Sequence, residues 1–195
     1  GLLHDIGNPP FGHFGETVIR EWFLENMSRL WFRGKTLEEW LTPQMQNDFY
    51  HFEGNAQALR VVSKLHFLVD ENGMNLTKVL LGTIIKYPVS SIEIDKTSGD
   101  IRAKKMGYFY ADRQTFENIQ SSLSTNGKRH PLAFLLEAAD DIAYRTADIE
   151  DGFQKGRISF ATLTQELENN KYREHEGQWE YEYLKEAIRE FRERY

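Results

Sequence analysis

With 195 residues, 40% of them apolar and 13% aromatic, the chain can bury a real core, as one domain or one domain with an appendage. A net charge of −6 excludes a globally basic nucleic-acid coat, and the absence of cysteine excludes disulfide staples and thiolate metal sites, leaving any metal to His, Asp or Glu. No apolar run approaches the roughly 20 residues of a spanning helix, so no membrane partner is expected and the location expected is cytoplasmic.

The first residues read as the end of a helix that turns at Asn8-Pro9-Pro10-Phe11-Gly12, where two prolines forbid its continuation. A new helix is expected from about His13 to Met27. Residues 31–47, interrupted by Gly34 and Pro43, read as an irregular connection with a short helix near 37–41. Ala56, Leu59, Val62, Leu65 and Val69 recur at steps of three or four, which predicts a helix over about 52–69 that Asn72-Gly73 ends. Another is expected over about 76–86, before Pro88. The stretch 90–110 breaks the helical habit, since Ile92-Glu93-Ile94 alternates and Thr97-Ser98-Gly99-Asp100 is a turn signature; a loop or small hairpin insert is expected. Helices resume over about 113–123, 131–151, 160–169 and 179–194. Seven or so helices and almost no strand make the expected fold class all-α.

The chemistry is concentrated at two places. His4-Asp5-x-Gly7-x-Pro9-Pro10-Phe11-Gly12-His13-x-Gly15-Glu16 packs two imidazoles and two carboxylates around a Gly/Pro turn that can fold His13 and Glu16 back towards His4 and Asp5. His13 and Glu16, three apart on one helix face, have the layout of a general acid/base pair. Taken alone, Glu16 could equally be an N-terminal helix carboxylate favoured by the dipole. The second place is the helix through Leu135-Leu136-Glu137-Ala138-Ala139-Asp140-Asp141, where a buried stripe of Leu132, Leu135, Leu136 and Ala139 is expected beside a polar track of Asp140, Tyr144 and Asp148. An unpaired carboxylate among Leu and Ala would cost several kcal/mol, which a metal would remove. No Gly-x-x-x-x-Gly-Lys-[Ser/Thr] loop is present, so an ATPase-type phosphate cradle is unsupported.

These residues resemble the HD superfamily of phosphohydrolases, whose metal is bound by the pattern H…HD…D, and in particular its dGTPase and dNTP triphosphohydrolase branch, of which the long motif from His4 to Glu16 is characteristic. The resemblance implies an all-α HD-domain bundle in which His4, Asp5 and Asp140 ligate a divalent ion, Mg or Mn or another transition metal. It implies that His13 and Glu16 are the catalytic pair and that Tyr144 and Asp148 hold the deoxyribose. It also implies that His51, Asn55, Lys86 and Tyr87 contact substrate, with Gln57, Arg60 and Arg145 as further candidates. The family's first metal-binding His would lie upstream of Gly1, so the chain is expected to be a fragment of an HD core lacking that His and the C-terminal part.

By the same resemblance the expected reaction is metal-dependent hydrolysis of dGTP, and of other dNTPs, to deoxynucleoside and inorganic triphosphate. A homo-oligomer, hexameric by resemblance, and a single-stranded DNA effector are the expected partners beside the nucleotide. Another HD nucleotidase or phosphodiesterase would keep His4, Asp5 and Asp140 without needing Tyr144 and Asp148. A non-catalytic nucleotide-sensing or nucleic-acid-binding module would use Lys104, Lys105 and the aromatics that follow them.

Overall fold

The computed structural model describes residues 3–66 and 70–168, together with Glu186 and Arg189. Among them are eight α-helices and one two-strand hairpin, an all-α fold divided into two compact units, Gly1–Asp140 and Asp141–Tyr195. No helix among the described residues is long and apolar enough to cross a membrane.

In the first unit, α1 (Gly12–Asn26) starts directly after the double-proline turn, where Phe11 (φ 67°) and Gly12 (φ 55°) both take the left-handed backbone. A 3-10 turn over Met27–Arg29 follows, then a hairpin of β1 (Trp31–Phe32) and β2 (Lys35–Thr36), with Trp31 opposite Thr36 and Phe32 opposite Lys35. Arg33 and Gly34, both at positive φ, form its turn, the twist that short hairpins favour. Thr36 then opens α2 (Leu37–Trp40) through a complete capping box with Glu39.

Within the connection expected over 31–47 the short helix near 37–41 is present as α2, while the rest is that hairpin and an unforeseen helix, α3 (Pro43–Tyr50). Pro43 sits at the first helical position behind the Thr42 cap, where its missing N–H costs nothing, so it starts a helix rather than breaking one. The helix expected over 52–69 is α4 (Gly54–Arg60) continued by a π-helical turn, Val61–Leu65; Ala56, Leu59 and Val62 are buried, Leu65 is exposed, and Val69 lies outside the described residues. Thr77 caps α5 (Lys78–Ile84), and α6 (Arg113–Leu123) ends at Ser124 in the left-handed region.

The insert over 90–110 contains no strand among its described residues. Ile92-Glu93 belongs to a 3-10 turn, Ser91–Glu93, and two more such turns follow at Ile101–Ala103 and Tyr110–Asp112. Side chains rather than a ladder fix the segment. Buried Asp48 on α3 accepts from Ser91 Oγ and from the Tyr110 N–H, both at 2.6 Å, and fully buried Asp112 pairs with Arg60 at 2.8 Å and Lys64 at 2.9 Å. Burial pushes the Asp48 carboxyl above its ordinary range, against the opposing effect of its two hydrogen bonds.

The core joins Leu59 and Val62 of α4 and its continuation, Leu81 and Ile84 of α5, Phe116 and Ile119 of α6, and Leu136. Tyr108 from the insert stacks on Phe116 with ring centroids 4.1 Å apart, so the insert shares this core. The helix α7 (Pro131–Gln154) contributes Ala133 and Leu136 as its buried residues, while Leu132 and Leu135 are exposed, which corrects the apolar stripe expected there. The second unit holds the remainder of α7 from Asp141 and α8 (Phe160–Glu168). The helix expected over 179–194 lies outside the described residues, except for Glu186 and Arg189.

Candidate active site

Residues 3–7 form successive turns instead of the expected helix end, and this places His4 and Asp5 on a loop that need not obey the roughly 100° step between helical neighbours. The loop is seated directly on the start of α4. A Cβ on Gly7 would fall 2.1 Å from the Ala58 amide nitrogen and 2.2 Å from the Gly54 carbonyl, so only glycine permits that approach.

His4 Nε2 lies 2.7 Å from Asp140 Oδ1 and 3.1 Å from Asp5 Oδ2. Lys86 Nζ donates to the other Asp140 oxygen at 3.1 Å, and Asn8 Nδ2 donates to Asp5 Oδ1 at 3.0 Å. Ligand atoms of His4, Asp5 and Asp140 all lie within 4.8 Å of one another. Burial raises the Asp140 carboxyl, but hydrogen bonds from Lys86 and His4, with their charges, outweigh it and hold the group below the usual carboxylate range. One imidazole and two carboxylates, with no sulfur, form a donor set that fits a hard or borderline divalent cation. Behind Lys86, buried Arg129 donates to its backbone carbonyl at 2.7 Å and to Glu137 at 2.6 Å, tying the end of α5 to the turn of α7 before Asp140.

The second cluster is built on α1. His13 Nδ1 lies 3.0 Å from Glu16 Oε2, and because a carboxylate accepts, the ring nitrogen donates. The His13 side chain is 84% exposed whereas that of Glu16 is 3% exposed. The Gly54 N–H donates to Glu16 Oε1 at 2.7 Å, and a Cβ on Gly54 would come within 2.3 Å of Asn8 Oδ1 and 3.0 Å of Glu16 Oε1. Gly54 thus joins the His4-Asp5 loop to the His13-Glu16 pair. Glu53, whose side chain is 1% exposed, accepts from Arg20, Asn55 and Lys105. Arg20, His51, Glu53, Asp95, Lys104 and Lys105 are among the residues lining a cavity of about 480 Å³. The Tyr87 phenol is pushed up by burial and by the charges of Glu53, Glu137 and Glu16, against the pull of Arg129.

No family model matches the chain. It is 55% identical over 168 residues to a deoxyguanosinetriphosphate triphosphohydrolase-like protein of Listeria monocytogenes, covering 86% of this chain and 36% of the relative. A protein of the same description from Pseudomonas aeruginosa is 39% identical, with 83% of this chain and 36% of the relative covered. The deoxyguanosinetriphosphate triphosphohydrolase of Yersinia enterocolitica is 37% identical over 183 residues, 83% of this chain and 35% of the relative. Over most of its length the chain is thus similar to proteins described as deoxyguanosinetriphosphate triphosphohydrolases or triphosphohydrolase-like proteins. It spans about a third of the length of these curated relatives.

Of the residues singled out in this triphosphohydrolase-like sequence, the fold brings His4, Asp5, Asp140 and Lys86 together, and His13 with Glu16. His51 lines the cavity, with its Nδ1 held by the Asn47 carbonyl at 3.1 Å, and Asn55 is bonded to Glu53. Tyr144 and Asp148 belong to the second unit, where both are exposed. Arg60 is committed to Asp112 and stacked over Phe109, a structural position, and Arg145 is exposed in the second unit. Sequence reasoning passed over Arg20, Glu53 and Arg129, and weighed Lys105 only for the nucleic-acid-binding alternative. Arg20 stands one helical turn beyond Glu16 and Glu53 lies inside the His51-to-Gln57 motif, so spacing alone could have flagged these two; the long-range contacts of Lys105 and Arg129 left no local signal.

Proposed function

We propose that this chain carries the catalytic residues of a metal-dependent dNTP triphosphohydrolase with an HD-type site. The observation that supports this reading most is the convergence of His4, Asp5 and Asp140, with Lys86 on the second oxygen of Asp140. The reaction breaks the bond between the α-phosphorus and the 5′-oxygen: water adds to phosphorus, the 5′-oxygen leaves with a proton as the deoxynucleoside, and the triphosphate departs intact. His4, Asp5 and Asp140 would hold the divalent ion, Mg or Mn, which when bound supplies Lewis-acid activation and charge neutralisation at phosphate.

The chain's own residues then have assigned tasks. Glu16 fixes the His13 ring through Nδ1, so that the opposite nitrogen, Nε2, is presented for proton transfer. Lys86 supplies positive charge to the phosphates, beside Tyr87 and within the same unit as His51 and Asn55. Tyr144 and Asp148 are assigned to the deoxyribose, the Tyr under C2′ and the Asp on the 3′-hydroxyl. The names of the relatives support dGTP as the first substrate to try. Homo-oligomeric assembly, a single-stranded DNA effector and a cytoplasmic location accompany this reading, as does an HD core in which a further His completes the ligand set.

The test is product identification. The full-length protein is incubated with each dNTP and with GTP in the presence of Mg or Mn, alongside Asp140→Ala. Deoxynucleoside and intact triphosphate, absent from the variant, are the expected result. Stepwise loss of phosphate would point instead to a nucleotidase, and nucleotide or single-strand binding without turnover to a sensing module.

A further inference from the structure

Glu16 and Glu53 come from different elements, α1 and the residue preceding α4, and both are buried. Their Oε2 atoms meet at one nitrogen: Arg20 Nη2 lies 3.3 Å from Glu16 Oε2 and 3.2 Å from Glu53 Oε2, while Arg20 Nε donates to the Phe52 carbonyl at 2.7 Å. The same Glu16 oxygen receives His13 Nδ1. Each remaining carboxylate oxygen is also occupied, Glu16 Oε1 by the Gly54 N–H, and Glu53 Oε1 by Asn55 and Lys105.

From this network we infer that Arg20 is a positioning residue for the His13–Glu16 pair. It acts through Glu16 and without touching the reacting atoms, setting the angle at which the carboxylate receives the imidazole. The inference rests on the acid/base role given to His13 and Glu16 above. Two buried carboxylates facing one another need a counter-charge between them, and a planar guanidinium serves both while its Nε locks the Phe52 carbonyl. No other cation among the described residues touches both. Lys105 reaches only Glu53, on the opposite oxygen. Without the guanidinium, Glu16 keeps its backbone anchor at Oε1 but loses what holds Oε2 towards His13. The ring, exposed over most of its surface, then has no fixed orientation.

The experiment compares the full-length protein with Arg20→Met and Arg20→Lys, using Arg29→Met, at an exposed position outside this network, as the control. Two readouts are taken. Nitrogen-edited spectra of the histidine rings report the His13 tautomer with no substrate present, and steady-state dNTP hydrolysis separates kcat from KM. The expected result for Arg20→Met is a His13 signal changed from one Nδ1–H tautomer to a mixture, with kcat lowered about 10-fold or more, part of the ~10²–10⁴-fold carried by a general acid or base, and KM within about twofold. Arg20→Lys, which keeps the charge but cannot span both carboxylates and the carbonyl, is expected to fall between.

An unchanged His13 spectrum and unchanged kcat in folded Arg20→Met would overturn the inference, as would a rise in KM alone. If Arg20→Met does not fold, the Arg20→Lys spectrum decides on the same criterion. Because the ring spectrum needs no turnover, an inactive protein whose His13 tautomer still follows Arg20 would defeat the hydrolase reading and leave the positioning role standing.

Discussion

Lys86 and Asp140 meet across 54 residues of sequence, Nζ to Oδ2 at 3.1 Å, with both side chains largely buried. Since His4 holds the other oxygen, Asp140 is the shared member of a cation–carboxylate–imidazole cluster. Asp140→Asn keeps the shape but gives Lys86 an amide in place of a carboxylate. We expect a loss of about 1–3 kcal/mol in stability, together with disappearance of any rise in melting temperature on adding Mn. Thermal unfolding with and without metal measures both; a metal-induced rise equal to that of the native protein would remove Asp140 from the ligand set.

Arg129 is the second arm of the same arrangement, joining the Lys86 carbonyl to Glu137. Arg129→Met should cost about 1.5–3 kcal/mol in urea denaturation, the range for hydrogen bonds to a charged group. It should also weaken substrate affinity more than turnover, because Lys86 is displaced and His13 is not. A stability change below about 0.5 kcal/mol would show that the end of α5 is held by other means.

Gly7 meets backbone, the Ala58 nitrogen and the Gly54 carbonyl, which cannot swing aside as a side chain can. Gly7→Ala is therefore expected to shift the loop bearing His4 and Asp5 off α4, costing at least about 1–3 kcal/mol and abolishing metal-induced stabilisation. Native-like thermal behaviour with metal in this variant would mean that the loop has room the structure does not show.

Asp48 gives the pH dependence. Its carboxyl is raised above the ordinary carboxylate range mainly by burial, opposed by Ser91, by the Tyr110 N–H and by Arg60, with Asp112 adding to the rise. The folded state therefore holds this proton more tightly than the unfolded chain does. The group's contribution to stability is fully present below about pH 3.8 and is lost as pH rises through the folded value. Asn in its place mimics the protonated acid. Its oxygen can accept from Tyr110, and its amide can donate to Ser91 Oγ, whose hydrogen turns to the Gln44 carbonyl now 3.2 Å away. We expect Asp48→Asn to be at least as stable as the native protein at pH 7, with its relative advantage growing from pH 4 upward. Denaturation curves across that range check this, and a deficit of 2 kcal/mol or more at pH 7, on the scale of an unsatisfied buried group, would contradict it.

Much of this was legible in the sequence because helices α1, α6 and α7 carry their own start signals and periodicity, and because the chemistry of His4 to Glu16 is compressed into thirteen residues. What stayed hidden was of another kind. Pro43 reads as a breaker unless the Thr42 cap before it is weighed, and alternation at Ile92-Glu93-Ile94 mimics a strand where buried Asp48, through Ser91, and the Ser90–Glu93 capping box hold a 3-10 turn instead. Leu132 and Leu135 follow the helical rule for burial yet are exposed, since periodicity says which residues share a face and not whether anything covers it. Arg129 reaches the Lys86 carbonyl and Arg20 reaches Glu53 and the Phe52 carbonyl, long-range contacts that no local pattern encodes, although the spacing of Arg20 from Glu16 is visible in the sequence.

Asp48 and Asp112 pin the two ends of the insert, at Ser91 and just beyond Tyr110, while Asp95, Lys104 and Lys105 between those pins line the cavity. Apart from Met106, Tyr108 and Phe109, which are buried in the cores, a wall suspended in this way can exchange its exposed residues without disturbing the helical scaffold beneath it. Diversification of what enters the cavity is thereby separated from preservation of the fold, and the short span from Asp95 to Lys104 is where a redesign of selectivity has the most freedom.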